Sequence, residues 1–160
     1  DIACSDSPRE ANSNDGRKPK VLHLFSGKAD RVKGLAYYLR ELGADVVEAD
    51  IINTCLPQQD LLDDGIWNRF RKRIQQGEFD FVFGGPPCTT CSDARHSRPG
   101  PPVLRDPSNI YGFPKATARQ HGLRPHHVEE IQTDNMFAER MAEAGEEVLE
   151  CSISFPRLFL

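Results

Sequence analysis

Two cysteines three residues apart, Cys88 and Cys91 in GGPPCTTCS, are the residues whose type and spacing most invite chemistry in this chain. A thiolate is both a nucleophile and a metal ligand. A free thiol, with a pKa of about 8.5, is ionised only to a few per cent at pH 7, and nearby cations such as Arg95 or Arg98 raise that fraction. Gly84 and Gly85 open backbone angles closed to other residues, and Pro86 and Pro87 stiffen the turn that leads to Cys88. The stretch is neither apolar nor periodic, which argues against a thiol buried in a strand. Three further readings stay open. The Pro-Cys-x-x-Cys run is half of a zinc deaminase signature, but the H-x-E half is missing, since Leu24 and Phe25 follow His23. A zinc site would need completion by His96, His121, His126 or His127, whose spacing is irregular. A redox pair would prefer to open a helix, and SDARHSRPGPP sustains none for long.

Two other stretches carry usable groups. In FSGKADRVKG, Gly27 lets a ligand approach the backbone, although no G-x-G-x-x-G follows and the next glycine is Gly34. Glu48 and Asp50, at the end of VVEAD, could accept hydrogen bonds from two ribose hydroxyls. From Arg95 to His127 the chain holds six Lys or Arg against a single acid, Asp106, within a total charge of −4. A local basic stretch on an acidic body can hold phosphates; a solvated loop with no such role is the alternative.

The elements that must position these groups follow from patterning. KVLHLF, 20–25, reads as a buried strand. Residues 30–43 read as a helix with Asp30 as cap and Val32, Leu35, Ala36, Leu39 and Leu42 as its stripe. DVVEAD, 45–50, is a second strand. DLLDD, 60–64, fits either a short strand or the start of a helix. Ile66, Trp67, Phe70 and Ile74 mark an amphipathic helix over 65–77, and FDFVFGG, 79–85, a further strand. Residues 86–123 hold seven of twelve prolines and form a loop near forty residues long, the kind that is functional or disordered. A last helix spans 127–145, and EEVLE, 146–150, reads as one more strand. Strand–helix alternation with apolar strands predicts a doubly wound, mostly parallel α/β sheet whose ligands sit beyond the carboxyl ends of the strands. FSG, EAD and GGPPCTTCS all fall there.

A chain of 160 residues is one domain with tails: a polar lead-in over 1–19, a folded body over 20–150 and an atypical tail over 151–160. Cysteines at 4, 55, 88, 91 and 151 are not a secreted disulfide framework, so a reducing compartment, nucleus or cytoplasm, is expected. No apolar run reaches the length of a membrane span, and no charged-then-apolar signal-peptide pattern is read in these residues, so neither a span nor a leader is expected in them.

LFSG after the first strand, an acid after the second and GGPPC-x-x-C-S after a later one resemble the DNA cytosine-5 methyltransferases. Phe25 and Gly27 match the family's F-x-G-x-G, with Ala29 in place of the second Gly. Gly85, Pro86, Pro87, Cys88 and Ser92 match its Pro-Cys motif, with Thr89 and Cys91 at positions usually Gln and Phe. The resemblance covers about residues 20–150. It implies a Rossmann-like, S-adenosylmethionine-dependent methyltransferase, incomplete, with no metal. Cys88 would add to carbon 6 of cytosine, and Glu150 would stand where the family's ring-protonating Glu follows the next strand. Phe25, Ser26, Gly27, Glu48, Asp50, Asp60 and Pro86 would line the cofactor pocket, Glu48 at the ribose and Asp60 at the adenine amine. Ser92, Arg95, Arg98, Arg105, Lys115 and Arg119 would hold the nucleic acid, DNA first with RNA left open. The family's later strands, its arginine motif and its recognition region are absent from these 160 residues, so the cofactor is expected to bind weakly or not at all. An inactive remnant that binds nucleic acid or a partner is the alternative, and a zinc module through Cys88 and Cys91 is another. An amino-methyltransferase is disfavoured, because Cys88 stands where an aromatic residue is usual.

Overall fold

The structure, a computed structural model, describes residues 17–29, 31–53, 59–97, 99–152 and 158–159. Its centre is a parallel sheet. β1 (Lys20–Leu24) lies between β2 (Asp45–Ala49) and β3 (Phe81–Gly84), and the two-residue β4 (Leu158–Phe159) extends the β3 edge, giving the order β2-β1-β3-β4. Leu24 pairs with Ala49 on one side and with Gly84 on the other, so the three main strands end level. Parallel strands joined through helices make this an α/β fold.

Alternation along the strands sends side chains to two faces. Leu22, Leu24, Ala49 and Val82 form one face. It is covered by α2 (Asp64–Gln75) and α3 (Pro125–Ser152). Trp67, Phe70 and Ile74, spaced three and four apart, are the buried stripe of α2. Asp63 caps that helix, its side chain accepting from the Ile66 N–H at 2.8 Å. On the other face Val21 and Val46 pack against Ala36 of α1 (Leu35–Glu41). α1 covers only part of that face. An apolar groove of about 550 Å³ remains, lined by Leu35, Leu39, Leu42, Phe81 and Phe83 among others.

Two expectations from patterning need correction, and one open reading is decided. Helix α1 starts at Leu35, not at residue 30, because Lys33 takes a left-handed φ of 61° and the Gly34 N–H turns back onto the Arg31 carbonyl. Val32 and Leu42 are consequently exposed; the Asp30 cap lies outside the described residues. DLLDD, 60–64, is the turn that leads into α2 at Asp64, so of its two readings the helix entry holds. EEVLE is not a strand but the continuation of α3, which runs to Ser152. Met141, Ala144 and Val148 extend one stripe at spacings of three and four against the core, and that stripe outweighs the short alternation. The strand that follows is β4.

The segment 86–123 is organised. It contains 3-10 turns at Thr89–Cys91, Asp93–His96 and Ala118–His121. Leu104, Phe113, Ala118 and Leu123 make a small core of its own against Ile131 of α3. Phe113 also stacks on His121 with centroids 3.8 Å apart. Among the described residues no helix is long and apolar enough to cross a membrane.

Candidate functional site

The order β2-β1-β3 means that the chain leaves β1 toward one neighbour and later returns to its other side. The crevice at such a reversal, beyond the carboxyl ends, is where open α/β sheets bind ligands. Because Leu24 and Gly84 pair, Phe25–Ser26–Gly27 and Gly85–Pro86–Pro87–Cys88 leave the sheet side by side at that crevice.

The first loop is tightly built. Phe25 has a left-handed φ of 54°, a conformation that costs a bulky residue about 1–2 kcal/mol. Its ring packs edge-on to Phe137 of α3, centroids 4.9 Å apart. Gly27 has φ 75°, its N–H donates to an Asp50 carboxylate oxygen at 2.9 Å, and a Cβ built there would meet no atom within 4 Å. Asp50 also accepts from the Ile52 N–H, and the Asn53 side chain accepts from the Ala29 N–H. Asp50 and Asn53 therefore brace the loop after β1 from the loop after β2. Asn53, buried, was not legible as part of this; no sequence signal separates it from an ordinary loop Asn.

Glu48 sits elsewhere. It is buried on the α1 face and pairs with Arg40 at 2.7 Å, so its carboxylate is committed to the helix. Asp60 accepts from the Leu62 N–H at 2.9 Å and shapes the turn before α2. Ser26, half-buried, sends its hydroxyl to the Gly27 carbonyl.

The second loop carries Cys88 just beyond the end of β3. Cys88 and Cys91 are exposed and free of disulfides. They close a single 3-10 turn, the Cys91 N–H donating to the Cys88 carbonyl at 3.0 Å. The turn is anchored by Thr90, which is buried. Its N–H and hydroxyl both donate to one carboxylate oxygen of Asp134, at 3.0 and 2.6 Å. Asp134 is a residue that sequence reading missed. The signal was its place on α3, three residues from both Ile131 and Phe137 on the packed side, where a carboxylate demands donors.

The arginines of the loop divide by use. Arg105 donates to the Thr90 hydroxyl at 2.9 Å, to the Ile110 carbonyl and to Asn135. Arg95 donates to the carbonyls of Thr89 and Pro102 and to Glu130, and its side chain is only 11% exposed. Both pin the loop to itself and to α3 and are not open cations. Ser92 caps the next turn, accepting from the Ala94 N–H. Arg98 lies outside the described residues. Lys115 and Arg119 are exposed and line a separate cleft with Arg124.

Glu150 is not at this site. Cys151, its neighbour, lies with its sulfur on the Ile74 and Gln75 carbonyls at the carboxyl end of α2. Sixteen residues at 1.5 Å each put Glu150 about 24 Å along α3 from Asp134, beside the amino edge of the sheet. Nor do the histidines gather at Cys88. His121 stacks on Phe113, and His127 accepts from the Arg124 N–H. Among the described residues no group of three potential metal donors exists. No family model, curated protein or solved structure matches the chain.

Proposed function

We propose that the chain is the amino-terminal part of a Rossmann-like methyltransferase domain similar to the DNA cytosine-5 enzymes, with Cys88 as its nucleophile. One observation carries the reading. The Leu24–Gly84 pairing starts the loop that carries an exposed, free cysteine alongside the loop of Gly27, which has open space over it, at the point where the strand order reverses.

The residues fit S-adenosylmethionine at the first loop. Gly27 would let it approach the backbone, and Phe25 would wall the pocket. Asp50 would take the ribose hydroxyls in preference to Glu48, because a carboxylate offers about four acceptor sites and Asp50 uses two. When bound, the cofactor supplies an electrophilic methyl group. The chain's own contribution is the addition. The Cys88 thiolate forms a bond to carbon 6 of cytosine, and the ring's double-bond electrons shift so that carbon 5 becomes nucleophilic. After carbon 5 is methylated it loses its proton, and the thiolate departs with its electron pair. The base must leave its stack to meet Cys88, which costs a few kcal/mol in duplex DNA.

The placement of Glu150 favours a second reading, a module that binds nucleic acid without completing the reaction. An oligonucleotide containing 5-fluorocytosine, with S-adenosylmethionine, separates the two. The first reading predicts an adduct stable to denaturing electrophoresis that disappears in Cys88→Ser. Retention of the oligonucleotide under native conditions with no adduct supports the second.

A further inference from the structure

Lys115, Arg119 and Arg124 line a cleft of about 280 Å³ between the end of the long loop and the first turns of α3. We infer that this cleft is a second binding site, on the far side of α3 from Cys88, for a phosphate-bearing nucleotide of a single strand. The inference extends the nucleic-acid part of the proposed function and does not depend on the chemistry of Cys88.

Position is the first support. Pro125, Val128, Glu129 and Gln132 form the helical wall of the cleft. At 100° per residue, Asp134 and Glu130, which face the Cys88 turn, lie roughly 120–160° round the helix from Val128 and Gln132. The cleft therefore cannot serve the same nucleotide as Cys88.

Charge is the second. Arg95 and Arg105 spend their donors inside the fold, whereas the side chains of Lys115, Arg119 and Arg124 hold no ion pair or hydrogen bond among the described residues. Glu129 on the wall leaves the lining net positive. Chemistry of the floor is the third. Ala118 and Leu123 are buried beneath it, with Pro125 and Val128 beside them. That gives an apolar seat for a sugar or base under guanidinium planes, on which bases also stack. The volume is just under the roughly 300–1,000 Å³ of ligand pockets, which suits one nucleotide. An acidic peptide would satisfy the cations but leave the floor unused.

Fluorescence anisotropy with a labelled oligothymidylate of about a dozen nucleotides tests this between about 50 and 200 mM salt. Three phosphate contacts on a single strand predict a slope of log affinity against log salt of about −2. The double variant Arg119→Gln/Arg124→Gln is expected to lower affinity at least about tenfold at the low-salt end and to flatten the slope by about 1.4. Lys72→Gln, which removes a cation from the exposed side of α2, is expected to bind like the parent. Adenosine monophosphate should compete and adenosine should not. Absence of oligomer binding at the low-salt end would overturn the inference. Unchanged affinity and slope in the double variant, equal competition by adenosine, or equal competition by oligoaspartate would overturn the inference. Lys115→Gln, at an exposed position, repeats the slope test should the double variant fail to fold.

Discussion

Cys88 owes its presentation to a residue forty-six positions away. Asp134 gathers both donors of Thr90, and Arg105 caps the same hydroxyl, so the turn carrying the thiol is fixed from α3. Asp134→Ala leaves two buried donors without an acceptor and is expected to cost about 1–3 kcal/mol. Asp134→Asn keeps an acceptor and should cost less; denaturant melts of the two variants check the order. Alkylation by iodoacetamide in the native protein should modify Cys88 and Cys91 readily and Cys151 slowly, since only the first two are exposed. Peptide mapping over time reads this directly. At the same scale, two groups among those shifted contribute to the acid limb of stability. A hydrogen bond from Arg73, then one from Lys20, holds the Glu78 carboxyl down to about 2. Burial lowers the His23 imidazole below its usual value, and its Nδ1 has no hydrogen-bond partner among the described residues. Both folded values lie below the unfolded ones, so both contributions are present at neutral pH and fade with acid. The His23 loss begins below about pH 6.5 and the Glu78 loss between about 4.5 and 2, the latter about 1 kcal/mol at this partly exposed pair. Chemical melts from pH 8 to about 3 should show stability falling in that order; a rise on acidification would contradict it.

At the scale of elements, most of the framework was readable because each piece carries its own period. β1, β2, α2 and β3 announce themselves through short apolar runs and the Trp67–Phe70–Ile74 stripe. The failures have physical reasons. EEVLE alternates over five residues, and only the longer Met141–Ala144–Val148 spacing shows that α3 continues through it. The loop's arginines look alike in sequence, yet Arg95 and Arg105 become pins because folded carbonyls converge on them, and no spacing foretells that. Glu48 and Asp50 are two residues apart and look interchangeable in the sequence; Glu48 lies inside β2 and pairs with Arg40, whereas Asp50 falls just past the strand's end and accepts from the Gly27 N–H. Close packing between elements gives a sharp test. A Cβ at Gly84 would lie 2.8 Å from the Leu24 carbonyl oxygen and 2.9 Å from the Met141 sulfur. Gly84→Ala must therefore push β1 or α3 away from β3 and should cost about 1–3 kcal/mol. Thermal melting checks it, and an unchanged midpoint would mean that α3 does not seat there.

For the whole molecule, a sheet reversed at β1 and β3 brings the loops after those strands side by side, while the long segment 86–123 folds around its own core and carries the Cys88 turn and the Lys115–Arg119 cleft to different sides of α3. Its fold class was legible before its site was, since layers follow from hydrophobic period while a site depends on which loops end level. Leu24 opposite Gly84 is the pairing that decides this. The measurement that bears most directly on the central claim is the point of attachment between the protein and a 5-fluorocytosine oligonucleotide, read by mass spectrometry of the digested adduct. The account predicts attachment through the sulfur of Cys88 alone, with Cys91 unmodified. Attachment at Cys91, or full retention of the adduct in Cys88→Ser, would contradict it.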